Sequence, residues 1–195
     1  MRCIIILNGE CRDLKHLCGL CEASDFIICA DGGYKYAEKA GVTPDLVLGD
    51  FDSSAEPDNV RIKKYPAEKD FTDGEIAVKT ATELGYDEIV LTCSLGGRQD
   101  HTLSNLMLLD EKVSICEKNE KVFALTGKTA LNEPKGTVFS IIPVTDSVVS
   151  VKGAKYPLEK KEIFWGSTLT LSNETTEDET VVEVHSGKIL LFVNN

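Results

Sequence analysis

The sequence predicts an α/β fold: an N-terminal parallel sheet covered by helices, followed by a small C-terminal antiparallel β-sandwich or barrel. Three observations point there. Apolar runs alternate with helix-like segments over the first two thirds of the 195-residue chain. Those runs are apolar without a break, which suits strands buried on both faces. From about residue 113 the helical periodicity ends, and short β-prone runs separated by turns replace it.

Residues 2–7 form the first apolar run and end in Asn8-Gly9. The second, 25–30, ends in Asp31-Gly32-Gly33; a short third, 46–48, in Gly49-Asp50; and a fourth, 88–95, in Gly96-Gly97. Helical patterns lie between them. Residues 34–40 make a short helix closed by Gly41. Residues 73–84 place Ile76, Ala77, Thr80, Ala81 and Leu84 on one face, and Gly85 stops the pattern. Residues 100–110 set Leu103, Leu106, Met107 and Asp110 along neighbouring ridges. Repeated strand–helix–strand order implies a Rossmann-like sheet with right-handed crossovers. Ligands of such sheets bind beyond the carboxyl ends of the strands.

The β-prone runs are 113–116, 122–126, 137–143, 147–151, 167–171, 181–185 and 188–193. Turn-rich pieces such as Asn132-Glu133-Pro134-Lys135-Gly136 and Ser186-Gly187-Lys188 separate them, the pattern of an antiparallel sandwich or barrel. No long linker marks the change. The boundary falls within 112–130, and the domains are taken as 1–118 and 119–195. The single tryptophan, Trp165, is expected as core or interface filler.

A formal net charge of −11 argues against a nucleic-acid or anionic-membrane surface, which would need clustered Lys and Arg. No segment approaches the roughly 18 apolar residues of a membrane span, and the N-terminal run lacks a signal-peptide pattern. The seven cysteines are odd in number, and Cys3, Cys29, Cys93 and Cys116 lie in apolar runs, which reads as reduced core thiols. A soluble, cytoplasmic protein is expected.

The candidate chemistry lies at the strand ends. Asp31-Gly32-Gly33, Asp50-Phe51-Asp52-Ser53 and Gly96-Gly97-Arg98-Gln99-Asp100-His101 each follow an apolar run, and Asp70-Phe71-Thr72-Asp73 opens the long helix. In an extended Asp-x-Asp both carboxylates point the same way. Oxygen donors of this kind suit Mg²⁺, which is held by one or two carboxylates, waters and substrate phosphates. Glycine lets a phosphate approach the backbone, a helix N-terminus offers free N–H groups, and Arg98 offers a fork matched to phosphate. One Asp after a strand is ordinarily only a cap or turn residue. Recurrence along one sheet edge makes a site the better reading.

This ordered set resembles the thiamine pyrophosphokinase family: Ala30-Asp31-Gly32-Gly33, Pro44-Asp45 with Gly49-Asp50-Phe51-Asp52-Ser53, Asp70-Phe71-Thr72-Asp73, and Gly96 to His101 with Asn105. The resemblance continues to Gly166-Ser167 and Ser172-Asn173 and so spans nearly the whole chain. It implies an α/β catalytic domain over 1–118 that binds ATP and metal, and a β-sandwich over 119–195 that binds thiamine. It implies a transferase that moves pyrophosphate from ATP to the thiamine hydroxyl, releasing thiamine diphosphate and AMP, with Mg²⁺ as cofactor and a homodimer as the assembly. By position, Asp50, Asp52, Asp73 and Asp100 would form the catalytic, metal-binding acids. Asp31, Gly32, Gly33, Gly96, Gly97 and Arg98 would hold the nucleotide. Ser172 and Asn173 would line the thiamine pocket.

Other motifs carry less. Cys18 and Cys21 in C-x-x-C spacing lack a second ligand pair at finger-like distance. Gly127-Lys128-Thr129 has Val122 where a P-loop needs its first glycine, and no helix follows. Asn173-Glu174-Thr175 matches a glycosylation acceptor, and the acidic run 174–179 reads as a solvated loop. Two rival functions stand beside the main one. A haloacid dehalogenase-like phosphatase would use Asp50 as nucleophile, but it would leave Gly96 to Asp100 unexplained. A non-catalytic sensor of nucleotide or thiamine diphosphate would not need acids at every motif position.

Overall fold

The computed structural model describes residues 1–50, 60–66, 68 and 70–194. They divide into two compact units, Met1–Lys118 and Asn119–Asn195.

Among the described residues the first unit contains six parallel strands: β1 (Arg2–Ile6), β2 (Phe26–Ala30), β3 (Leu46–Gly49), β4 (Ile62–Lys64), β5 (Glu88–Thr92) and β6 (Val113–Glu117). Their spatial order is β6-β5-β1-β2-β3-β4. The chain builds outward from β1 through β2 and β3 to β4, then returns to β1's other side for β5 and β6. The direction of winding therefore reverses between β1 and β5. That reversal opens a crevice at the strands' carboxyl ends, the position where open α/β sheets bind ligands. Central strands are sealed: Cys3, Ile4, Ile5 and Ile6 are fully buried, as are Ile89 and Leu91.

Helices α1 (Leu14–Glu22), α2 (Tyr34–Ala40), α3 (Asp73–Glu83) and α4 (Gln99–Met107) connect the strands. Three of their boundaries have a local cause. Asp13 caps α1 by accepting the N–H groups of Lys15 and His16. Gly41, at φ 69°, ends α2 in the left-handed conformation. Thr72 caps α3 through a 3.2 Å bond from the Glu75 N–H to its hydroxyl. On α3, Ile76, Ala77, Thr80 and Ala81 of the expected face are buried, whereas Leu84, the C-cap residue beyond the last turn, is exposed. None of the seven cysteines forms a disulfide. No helix among the described residues is long and apolar enough to cross a membrane.

The second unit is two four-stranded antiparallel sheets. One runs β12-β9-β14-β7, from Asn173–Glu174, Val138–Pro143, Ile189–Asn194 and Glu120–Leu125. The other runs β11-β10-β13-β8, from Leu158–Ile163, Ser147–Lys152, Thr180–Ser186 and Lys128–Leu131. Alternating inward residues of both sheets, among them Phe139, Ile141 and Leu191 facing Val149, Val151 and Val182, share one core.

Further expectations are corrected. The run 113–116, read with the antiparallel runs, is the parallel strand β6 of the first unit, paired with β5. The run 88–95 leaves the sheet after Thr92, because Cys93 turns into the left-handed region at φ 50°. Residues 167–171 form turns instead of a strand. Thr170 alone of that run is buried, and it bonds Ile141 through both hydroxyl and carbonyl, whereas Leu169 and Leu171 face solvent. Trp165 is 70% exposed, in a turn after β11 where its N–H donates to Asp146, so it does not belong to the core of this unit.

Candidate active site

A cleft of about 250 Å³ opens at the β1/β5 reversal. It is lined by the tail of β1 (Leu7, Asn8, Gly9), the end of β2 (Ala30, Asp31), the start of α3 (Thr72, Asp73, Gly74), and Ser94, Gly96, Arg98, His101 and Asn105.

The two tails are laced together beyond the sheet. The N–H groups of Leu7, Gly9 and Glu10 donate to the carbonyls of Thr92, Cys93 and Leu95 at 3.0, 2.7 and 2.8 Å. The Tyr36 hydroxyl donates to the Gly9 carbonyl at 2.6 Å, and Lys35 Nζ to Asn8 Oδ1 at 2.6 Å. The floor of the cleft is therefore fixed backbone, and Lys35 brings a cation beside Asn8.

Asp31 sits in a single turn of 3₁₀ helix, Asp31–Gly33, with φ 46°. A non-glycine residue in that conformation carries about 1–2 kcal/mol of strain and persists only where its surroundings over-determine it. They do so here. Gly33 lies against the Ile6 backbone so closely that a Cβ would fall 2.1 Å from the Ile6 carbonyl oxygen, and a Cβ on Gly49 would meet the Asp31 Cα at 3.3 Å. Asp50 follows Gly49 directly and is half-buried.

Asp73 is the first residue of α3 and lines the cleft. It stands where the unpaired N–H groups and positive end of the helix dipole favour an anion. Gly74, next in line, packs with its Cα toward Asn105, whose Oδ1 lies 3.3 Å from where a Cβ would be. Asn105 is only 8% exposed, and its Nδ2 donates to the Ser94 carbonyl at 2.7 Å. The Thr102 hydroxyl likewise donates to the Gly96 carbonyl at 3.2 Å. Helix α4 thus holds the loop between β5 and itself in place.

Within that loop Gly96 and Gly97 have φ 78° and 68°, which side-chain-bearing residues avoid. Arg98 follows, and its fork grips Asp100 through Nε–Oδ1 at 3.1 Å and Nη2–Oδ2 at 2.6 Å, both side chains exposed. Those hydrogen bonds hold the Asp100 carboxyl down at about 2.

The structure accordingly brings Asp31, Asp73, Gly96 and Arg98 to one cleft. Gly32, Gly33, Asp50, Gly97 and Asp100 each adjoin a lining residue or one packed against it. Asp52 lies outside the described residues. Among the described residues, no three His, Cys, Asp or Glu side chains form a metal cluster. The donor set at the cleft is nonetheless hard carboxylate oxygen, as Mg²⁺ requires.

Ser172 and Asn173 lie in the second unit. Ser172 is exposed at φ 57°, its N–H donating to Ser140 Oγ at 3.0 Å. Asn173 is buried. Its Oδ1 accepts the N–H groups of Tyr156 and Glu174, and its Nδ2 donates to the Tyr156 carbonyl. The Asn173 amide thus serves the backbone, and Ser172 alone of the two is exposed.

Sequence reasoning did not assign Asn8, Thr72 or Ser94 to the cleft, nor Lys35 beside it. The Asn8-Gly9 pair at the end of an apolar run was a usable signal. Lys35, on a helix face, had none.

Comparison with known proteins gives the family. Residues 17–123 match the thiamin pyrophosphokinase catalytic domain and residues 128–191 its vitamin B1 binding domain. The thiamine pyrophosphokinase of Bacillus subtilis is 30% identical over 205 residues, covering 96% of each chain. Thiamin pyrophosphokinase 1 of Caenorhabditis elegans is 29% identical over 210 residues, covering 95% of this chain and 86% of its own. The crystal structure of the Geobacillus thermodenitrificans thiamin pyrophosphokinase superposes with a TM-score of 0.86 at 28% identity, covering 100% of this chain and 98% of that one. With both domain models matched in order and the acidic cleft at the sheet reversal, the chain belongs to the thiamin pyrophosphokinase family of enzymes.

Proposed function

We propose that the chain transfers the pyrophosphoryl group of ATP to the hydroxyl of thiamine, releasing AMP and thiamine diphosphate, with ATP and Mg²⁺ held in the β1/β5 cleft. The observation that carries this reading is the convergence of Asp31, Asp73, Gly96 and Arg98 on that cleft in a chain matching both domains of the family. Pyrophosphoryl transfer asks mainly for positioning and charge neutralisation. The turn at Gly96-Gly97 and the α3 N-terminus supply backbone N–H groups for phosphate oxygens. Asp50, Asp52, Asp73 and Asp100 are the carboxylates for Mg²⁺, which when bound neutralises developing phosphate charge. Arg98, paired to Asp100 in this structure, would offer its fork to phosphate, and Asp100 its carboxylate to the metal. The experiment is AMP formation from ATP and Mg²⁺ with and without thiamine, the second product identified by mass. Thiamine-dependent AMP with thiamine diphosphate is the expected result; thiamine-independent phosphate release would favour the phosphatase reading.

Thiamine itself is assigned to the second unit, and Ser172 is the exposed hydroxyl proposed to meet it. One neutral hydrogen bond contributes about 0.5–1.5 kcal/mol. Ser172→Ala is therefore expected to raise KM for thiamine about 2- to 12-fold and leave KM for ATP unchanged; equal effects on both would move Ser172 out of the pocket. The chain is read as a cytoplasmic homodimer, supported by its unbridged thiols and by exposed Phe164, Trp165, Leu169 and Leu171 in one segment of the second unit. Sedimentation equilibrium decides the assembly: a species of only 21.3 kDa at micromolar concentration would remove the dimer.

A further inference from the structure

Strand β5 leaves the sheet at Cys93, while its neighbour β6 continues to Glu117. In the parallel register Leu91 lies opposite Ile115, so Glu117 stands where the partner of Cys93 would be. It replaces the missing ladder with its side chain. One carboxylate oxygen accepts the Ser94 N–H at 2.8 Å and the Ser94 hydroxyl at 3.1 Å; the other accepts the Cys93 N–H at 3.2 Å. Consecutive N–H groups converging on one anion at a left-handed residue form an anion nest, here filled by the protein's own carboxylate. Burial pushes the Glu117 carboxyl above its ordinary range, against those hydrogen bonds.

A strand-end carboxylate could serve stability alone. What separates Glu117 from that reading is the segment it grips. Ser94 lines the cleft, Gly96 and Arg98 line it two and four residues on, and the opposite side of the same segment is tied by Asn105 and Thr102.

We propose that Glu117 is a positioning residue for the nucleotide's phosphates: it holds the turn at Cys93 and Ser94 from behind, and so fixes where Gly96 to Arg98 meet the cleft. This deepens the reading of the cleft as the ATP site and rests on it. The distinguishing substitution is Glu117→Gln, which keeps volume but replaces one acceptor oxygen with an amide group facing N–H donors. Losing one charge-assisted hydrogen bond corresponds to about a tenfold change. Expected for Glu117→Gln are a KM for ATP raised about tenfold or more, a KM for thiamine within about twofold, and an unchanged active fraction. Unchanged KM values, or a loss confined to Tm and active fraction, would overturn the proposal. Amide exchange provides a readout that needs no substrate. The Cys93 and Ser94 amides are expected to exchange at least about tenfold faster in the variant while Ile89 to Leu91 hold. Unaltered protection there overturns Glu117's role even if wild-type turnover is as proposed. A wild type without thiamine-dependent AMP, but with faster exchange in the variant, would instead refute the substrate reading alone.

Discussion

Asp73→Asn is expected to lower kcat about 100- to 1,000-fold, the scale on which removal of one well-placed electrostatic group acts in transition-state stabilisation. Two roles compete for Asp73, and this substitution separates them. As an acid in the first turn of α3, it would contribute about 0.3–1 kcal/mol through the helix dipole and nothing to the chemistry. As a metal carboxylate lining the cleft, it would contribute little to stability and most of its effect to turnover. Asn preserves size and still suits a helix start, and the Thr72 cap stays in place. The fold should therefore survive with Tm lower by no more than a few degrees. Charge neutralisation also makes a second prediction about the same variant: the Mg²⁺ concentration for half-maximal rate should rise, because one fewer negative oxygen competes with water for the ion. Steady-state kinetics with a Mg²⁺ titration measures both. A kcat within threefold of wild type, with ordinary Mg²⁺ dependence, would return Asp73 to the role of helix-terminal acid.

How much of this was legible before the structure depends on which interactions are local. Helix α2 ends at Gly41 and α3 begins at Asp73 because capping and left-handed glycine act within a few residues. Unbroken apolar runs located β1, β2, β3 and β5 for the same reason. Strand β4 (Ile62–Lys64) was not legible: its burial pattern is one half-buried residue and two exposed, an edge strand with almost no hydrophobic signature. Strand β11 reads as Leu-Glu-Lys-Lys-Glu-Ile with only Ile163 buried, and the same logic hid it. Conversely, residues 167–171 have strand-like composition, yet the tertiary bond between Thr170 and Ile141 turns them. At the site, the acids announced themselves by recurrence with glycine. The β1/β5 reversal did not, since strand order is set by pairing between distant segments. Nor did the pairing of Glu117 with Cys93 and Ser94, more than twenty residues away in sequence.

Gly33→Ala should destabilise the fold strongly, because a Cβ there would come nearer to another atom than at any other glycine lining or flanking the cleft. The residue's φ of −60° is ordinary, so the requirement is space, not conformation. A Cβ would lie 2.1 Å from the Ile6 carbonyl oxygen and 3.1 Å from that of Leu7. Both atoms belong to the central β1 region, where Ile4, Ile5 and Ile6 are fully buried and neither neighbouring strand can retreat. Overpacking of a dense interior costs about 1–3 kcal/mol, and more where backbone must move; about 3 kcal/mol is expected here, or roughly 10 °C in Tm. Gly41→Ala is the control. Its φ of 69° makes alanine unfavourable, but nothing lies within 4 Å of the new methyl, so only the conformational cost of about 1 kcal/mol remains. Thermal unfolding of the two variants side by side measures the difference. The larger loss at Gly33 would identify close approach of the Asp31 turn to β1 as what holds Asp31 in its left-handed conformation at the cleft. Equal losses would mean that the β1 tail can yield, and the strained Asp31 would then need another support.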